Sequence, residues 1–462
     1  MRGIVSYGAY VPCHRLSRDR IGEALGGNGG RGERAVASYD EDTTSMGVEA
    51  ARRARAGSAP PGLVAFATTS PAYVDKTNAS AIHSALALDS SIMAVDLGAS
   101  VRGAMGALRL AAEAGDGLAV LSDIRIGRPG SADEREGGDG AAAFAFGEGE
   151  HVIAEPLAQE SESAEFLDRW RIPGDFASRV WEERFGLECY RPLGAAVLKR
   201  ALATAGIEKP DHLVVSSPHS RVARYLHRSG PEQSAAGASL ADEIGYLGAA
   251  DAGVKLAETL ERAQPGETIV VLHAADGCDA LVLLVREAVL EARRGPTVRD
   301  QIAARRPTSY ADYLTWRGLL EREPPRRPDP VPPEAPPSAR SERWKFAFHG
   351  SRCERCATVH LPPQRVCTSC GAVDAMRPEP LADRRATIAT FTVDHLAYSL
   401  APPVIDVVLD FDEGGRYQCQ LTDADSEEVA IGNRVEMTFR RTHTAQGIHN
   451  YFWKGKPARS EA

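Results

Sequence analysis

Two cysteine pairs, Cys353-x-x-Cys356 and Cys367-x-x-Cys370, stand ten residues apart. A tight turn carrying two thiolates presents both sulfurs to one side, and two such turns close a tetrahedral shell around one Zn²⁺. Residues 357–366 between them, with Pro362 and Pro363, suit a short connecting hairpin. An incidental pair or a redox dithiol would explain one such motif but not its doubling. Four thiolates leave no open coordination position, so the expected metal is structural and catalysis must be sought elsewhere.

The chain has 462 residues and is 43% hydrophobic, enough for large cores and two to four domains. A net charge of −9 argues against a general nucleic-acid binder. The longest apolar runs, 268–273 and 280–285, are too short to span a bilayer. The opening Met1-Arg2-Gly3-Ile4-Val5-Ser6 runs into strand-like sequence without a signal-peptide pattern. Cys13, Cys189, Cys278 and Cys419 are scattered, which fits a reduced, cytoplasmic setting better than a disulfide framework.

The elements that must position any site fall on either side of a Pro-rich boundary. Eight of the fourteen residues in 324–337 are proline, the composition of a stiff extended spacer. Before it lies a faint repeat. In the first copy, a strand at 62–68 leaves through Thr69-Ser70-Pro71. Small residues at 98–103 open a helix over 104–114, and strands follow at 117–123 and 138–146. In the second copy, a strand at 212–216 leaves through Ser217-Pro218. Gly245-Tyr246-Leu247-Gly248 opens a helix to 263, and strands follow at 267–273 and 276–284. Two matched halves of this kind predict a layered α/β body built by duplication. Further helices are expected at 44–56, ending at Gly57, at 193–205, and at 299–320. After the cysteines, alternating stretches at 386–393, 404–411, 416–421, 434–439 and 450–453 predict a small β-barrel, with the OB-fold as its natural form.

The opening Gly3-Ile4-Val5-Ser6-Tyr7-Gly8-Ala9-Tyr10-Val11-Pro12, the stretch from Gly32 to Thr43, and Gly138-Asp139-Gly140-Ala141 resemble the thiolase superfamily. The nearest branch is that of hydroxymethylglutaryl-CoA synthase and ketoacyl-acyl-carrier-protein synthase III. Residues 344 to about 455 resemble modules in which a rubredoxin-like zinc ribbon precedes an OB-fold. The resemblance implies a layered α-β-α-β-α body, a homodimer, and a CoA thioester as substrate. Modules of the second type stand beside thiolases and acyl-CoA enzymes, so a thiolase or hydratase partner is implied as well.

The same resemblance shows what is missing. Working members use a Cys nucleophile at the N-terminus of a buried helix, where the helix dipole and a nearby His favour the thiolate. The matching turn, Asp96-Leu97-Gly98-Ala99-Ser100-Val101-Arg102, holds Val101 at that position. Ser100 is a weak alternative nucleophile, or a helix cap. The family's general-base Glu falls near Thr69, and the polar Asp75-Lys76-Thr77-Asn78 beyond it is a solvated loop or a site-lining segment. The family's His falls at Ser216, with His219 just past Pro218. Its Asn falls at Tyr246, either a proton donor or acceptor, as in some thiolase-fold aldolases, or a core aromatic with its hydroxyl satisfied. His273 either lines the site or is a satisfied interior histidine.

The expected architecture is therefore thiolase-like halves at 1–160 and 161–298, a helix and linker at 299–343, a zinc ribbon at 344–376 and an OB-fold at 377–462. Tyr246, His219 and Ser100 are the candidate catalytic residues. Thr69, Asp75, Val101, Ser216 and His273 are the candidate substrate-binding residues. The expected activity is C–C bond formation or cleavage on an acyl-CoA without a Cys acyl-enzyme. A non-catalytic acyl-CoA-binding scaffold and a condensing acyltransferase with another nucleophile are the alternatives. In the OB segment, Arg440, Arg441, His443, His449, Tyr451 and Trp453 form a basic–aromatic edge that either meets the phosphates or adenine of a CoA, as the resemblance implies, or packs on the neighbouring domain. Nucleic-acid and membrane partners are not expected.

Overall fold

A computed structural model describes residues 1–55, 59–229, 240–293, 295–323, 330–397 and 399–458. The chain divides into two compact units. One comprises Met1–Ser38, Met46–Ser80 and Asp89–Tyr313; the other comprises Tyr39–Ser45, Ala81–Leu88 and Leu314–Ala462.

In the first unit the apolar runs become β1 (Arg2–Tyr10), β2 (Leu63–Ala67), β3 (Met93–Leu97), β4 (Gly117–Ile124), β5 (Asp139–Glu148), β6 (Ala154–Ser163), β7 (His212–Ser216), β8 (Thr268–Ala274) and β9 (Gly277–Val285). Their order is β7-β8-β9-β6-β1-β5-β4-β2-β3. The two central strands, β1 and β6, meet at Ile4 and Ala154. Outward from β1, the pairings run antiparallel to β5, antiparallel to β4, then parallel to β2 and β3. Outward from β6, they run antiparallel to β9, antiparallel to β8, then parallel to β7. The halves match step for step, and only β3 lacks a counterpart among the described residues. This is the duplication expected from the repeat.

The helices complete the layers: α1 (Thr43–Arg55), α2 (Gly103–Ala114), α3 (Glu183–Ala205), α4 (Ser220–His227) and α5 (Asp251–Arg262). Ala65, Ala67, Leu121, Phe144, Val214, Val271 and Leu281, from both half-sheets, share one core with α2 and α5. Leu213, Val215, Val270, Leu272 and Val282, of opposite strand parity, share another with Tyr190, Val197 and Ala201 of α3. On β1, a Cβ at Gly8 would lie 2.4 Å from the Ala50 carbonyl of α1, so only glycine lets that helix lie so close. The layers are α1, half-sheet, α2 with α5, half-sheet, α3. Asp251 through Leu260 are all buried because α5 has no solvent face.

Several expectations shift. The helix predicted from 193 begins at Glu183 and carries Pro192 inside it. The Gly57 stop lies outside the described residues. The predicted helix 299–320 is broken into Val298–Ala303, a two-residue strand Arg306–Pro307 and Tyr310–Trp316. A Thr297/Asp300 capping box starts the first piece, and pairing of Arg306 with His14 interrupts it. Of the spacer, 324–329 lies outside the described residues. Its end is helical, not extended: Ala335–Arg340, with prolines in the first turn where no N–H is needed. No helix among the described residues is long and apolar enough to cross a membrane.

The second unit begins its β structure with β10 (His349–Cys353), β11 (Val359–His360) and β12 (Met376–Pro380), in the order β11-β10-β12 around the cysteines. The closed barrel follows: β13 (Ala386–Asp394), β14 (Val404–Phe411), β15 (Arg416–Leu421), β16 (Arg434–Ala445) and β17 (Ile448–Pro457), in the order β13-β14-β15-β17-β16. The last two strands outrun their predicted ends because Arg440 continues a buried face. That guanidinium is 0% exposed and reaches Asp40 at 3.3 Å, Glu41 at 2.8 Å and Asp423 at 2.6 Å. Asp40 also binds Lys454 at 2.9 Å and accepts the Thr422 hydroxyl at 3.0 Å. Tyr451 donates to Asp42 at 2.6 Å, and the Trp453 indole to the Phe346 carbonyl at 2.7 Å. Of the basic–aromatic edge, Arg440, Tyr451 and Trp453 are thus packed internally.

Burial alone would raise the pKa of Asp40, but Lys454 and Arg440 outweigh it and hold the carboxyl at about 2. Its folded pKa is below the unfolded value of about 3.9, so its contribution is present above pH 4 and is lost as the pH falls toward 2. Asp40→Ala leaves two buried cations underpaired. It is expected to cost about 3–5 kcal/mol in urea unfolding at pH 7, and the gap from wild type should narrow below pH 4.

Candidate functional site

The turn between β3 and α2 carries the position expected for a nucleophile. Val101 is buried there and offers only methyl groups. The Ser100 hydroxyl donates to the Asp276 carboxylate and accepts from the Arg102 backbone N–H at 3.2 Å. No imidazole is its partner; the serine ties the helix start to the turn after β8. Beside it, Arg102 makes a two-pronged pair with Asp279, at 2.8 and 3.0 Å, and donates to the Asp276 carbonyl at 2.7 Å. An ion pair thus stands next to the position where resemblance implies a thiolate.

Thr69 leaves β2 beside Asp123, which ends β4. The threonine hydroxyl donates to both carboxylate oxygens, at 2.9 and 2.7 Å, and the Ala249 N–H reaches the same carboxylate at 2.9 Å. Burial raises the pKa of Asp123, against the pull of Arg125 and these hydrogen bonds. Arg125 reaches the Thr69 hydroxyl at 3.3 Å, and Arg171 donates to the Thr69 carbonyl. Asp123, Arg125 and Arg171 were missed in the sequence. A carboxylate closing the apolar run of β4 was the available signal for the first; nothing marked Arg171. Asp75 lies in an exposed loop that Asn78 braces through the Tyr73 and Lys76 carbonyls. The structure places Asp75 in solvent.

Tyr246 follows Gly245, whose φ is +81° and where a Cβ would lie 2.3 Å from the Gly137 carbonyl, so no side chain is admitted. The Tyr246 N–H donates to Glu136 at 2.7 Å and its carbonyl accepts from Gly138 at 2.9 Å, so its backbone is pinned. The Arg125 guanidinium lies 5.9 Å from its ring centroid, which joins Tyr246 to the Thr69 cluster. The hydroxyl is buried and has no hydrogen-bond partner among the described residues. Burial first, then the field of Asp251, raises its pKa well above that of a free tyrosine and keeps it protonated. The reading of Tyr246 as a core aromatic with a satisfied hydroxyl is therefore not met.

His219 leads into α4, and its Nε2 lies 2.7 Å from the Glu183 carbonyl. That contact requires an Nε2–H donor and leaves the lone pair on Nδ1. A Cβ at Gly186 would meet both this imidazole and the Asp168 carboxylate, so the two groups are close. Asp168, also missed, accepts from the Tyr190 hydroxyl at 3.3 Å, which in turn accepts the Asp276 N–H at 3.1 Å. Ser216 and His273 are direct neighbours on β7 and β8. Both are fully buried.

The four Cys Sγ atoms lie within 4.8 Å of one another. Cys353 to Cys370 is 3.7 Å, and Cys356 to Cys367 is 3.4 Å. A Zn–S distance of about 2.3 Å implies tetrahedral edges of about 3.8 Å, so this donor set fits a zinc ion.

The barrel matches the family described as ChsH2, C-terminal OB-fold domain, over residues 379–440. A hydroxymethylglutaryl-CoA synthase of Pyrobaculum aerophilum is 30% identical over 348 residues, covering 69% of this chain and 98% of that protein. A crystal structure of an HMG-CoA synthase complexed with CoA matches with a TM-score of 0.59 at 15% identity, over 68% of this chain and 89% of the other. That of 3-oxoacyl-(acyl carrier protein) synthase III from Pseudomonas aeruginosa matches at 0.54 and 20% identity, over 62% and 98%. At these identities the two solved structures establish a shared fold.

A buried hydroxyl without a partner stabilises nothing. Tyr246→Phe is expected to leave the unfolding free energy within about 0.5 kcal/mol of wild type, or to raise it, in urea titrations. A loss above about 1 kcal/mol would mean that the hydroxyl is tied into the fold.

Proposed function

This chain belongs to the hydroxymethylglutaryl-CoA synthase family, and from that premise we propose that it binds an acyl-CoA and makes or breaks a C–C bond without an acyl-enzyme. The observation that carries the reading is the unpartnered, protonated Tyr246 hydroxyl beside Arg125. In cleavage, a base takes the proton of a β-hydroxyl and the C–C bonding electrons pass to the α-carbon and thioester oxygen as an enolate. The carbonyl product departs, and the α-carbon is then protonated. Tyr246 donates a hydrogen bond to the enolate oxygen, strongest as negative charge develops. His219 is one imidazole available for proton transfer. Condensation is the reverse. Val101 is compatible with this chemistry because no acyl group is carried on the protein.

One feature favours a second reading, a non-catalytic acyl-CoA-binding scaffold. Arg171 sits on the Thr69 carbonyl, and Arg102 with Asp279 forms an ion pair beside Val101, where acyl transfer would be expected. In either case we propose a homodimer, with a thiolase or hydratase as a further partner, in the cytoplasm. We also assign the four cysteines one structural Zn²⁺ that holds β10, β11 and the following turn together.

Wild type and Tyr246→Phe would be incubated with β-hydroxyacyl- and β-ketoacyl-CoAs and the products followed by mass spectrometry. Cleavage or condensation that drops about 10²-fold or more in the variant, with no acyl adduct on the protein, is expected. CoA-ester binding without turnover would leave the scaffold reading standing. For the metal, elemental analysis should find one zinc per chain, lost in Cys353→Ser; metal-free wild-type protein would overturn that assignment.

A further inference from the structure

His273 on β8 pairs in register with Ser216 on β7 and with Asp279 on β9. Residues in register point to the same face, and this is the face of Val214, Val271 and Leu281, turned toward α2 and α5. His273 and Ser216 are each 0% exposed. Neither imidazole nitrogen nor the serine hydroxyl has a hydrogen-bond partner among the described residues. Two charged neighbours in this layer are paired. Asp279 is held by Arg102 at 2.8 Å. Lys255 donates to Asp251 at 2.8 Å and to the Val215 carbonyl at 3.0 Å.

Leaving a polar group buried without a partner costs about 1–3 kcal/mol. Three such atoms side by side are a cost that a bound group can relieve. Burial, opposed by Asp279 and Asp251, lowers the His273 pKa and favours the neutral ring. A neutral imidazole has one N–H donor and one lone pair, and the serine adds a donor that can also accept. The group that satisfies such a set both donates and accepts, as an alcohol does. A carboxylate would supply acceptors only. The charge of Asp251, at the start of α5, acts to raise the pKa of both His273 and Tyr246.

We propose that His273 and Ser216 form the subsite for the β-oxygen of a β-hydroxyacyl thioester, with His273 the base that takes its proton. This rests on the acyl-CoA reading above and names its oxygen-recognising end. In cleavage the hydroxyl proton passes to the imidazole lone pair, the O–H electrons form the new carbonyl, and the C–C electrons leave as the enolate. In condensation the imidazolium returns that proton to the alkoxide. Ser216 donates to the same oxygen and keeps it oriented.

The test needs no turnover. Full-length protein is titrated calorimetrically with 3-hydroxybutyryl-CoA and with butyryl-CoA, which lacks the β-oxygen. Wild type is expected to prefer the hydroxy ester about tenfold or more. Ser216→Ala and His273→Asn should bring that ratio close to one while butyryl-CoA affinity persists. Ser216→Ala, which removes one oxygen, carries the comparison should His273→Asn fail to fold. Equal wild-type affinities, or variants that keep the wild-type ratio, overturn this inference and leave acyl-CoA binding standing. Binding of neither ester overturns the acyl-CoA reading and this subsite with it.

Discussion

Helix α5 has no solvent face, and that constraint governs the interior of the first unit. It lies with the inner face of α2 between two half-sheets, so a polar group buried there must find a partner inside the protein. Lys255 with Asp251, Arg102 with Asp279, and Thr69 with Asp123 meet that demand. His273, Ser216 and the Tyr246 hydroxyl do not. In a well-packed interior such exceptions mark where something else is to be bound, and here they come from the strand exits and turns that the duplication brings together.

The covalent apparatus implied by family resemblance is replaced by charge pairs of similar reach. Val101 removes the nucleophile, and Ser100 is committed to Asp276. Thr69 stands where a carboxylate base is implied, but a carboxylate, Asp123, sits directly against it from the neighbouring strand.

The second unit solves a different problem. The small ribbon offers little apolar core, the barrel buries Ile388, Val407, Leu409, Met437, Phe439 and Trp453, and each also carries polar chemistry inside. The ribbon has four sulfurs at tetrahedral spacing, and the barrel has Asp40 buried against Lys454 and Arg440. The apolar alternation of Val435, Met437 and Phe439 ends at Arg441, and the buried Arg440 reads as a polar position, so the strand's full length is not legible in a pattern of apolar and polar residues. A buried charge reads as a solvated one until its partner, four hundred positions away, is placed.

The sequence by itself determined the four-cysteine cluster, the duplicated order of strands and helices, the barrel and the valine at residue 101. Each depends on spacing along the chain or on residue type at a turn, which are local. Only the tertiary structure decided that Ser100 serves Asp276, that His219 donates to the Glu183 carbonyl through Nε2, and that Asp123, Arg125 and Arg171 surround Thr69. It also decided that His273 and Ser216 lie side by side without partners. Hydrogen bonding and desolvation depend on which strands become neighbours, and residues 216 and 273 are made neighbours by sheet register alone.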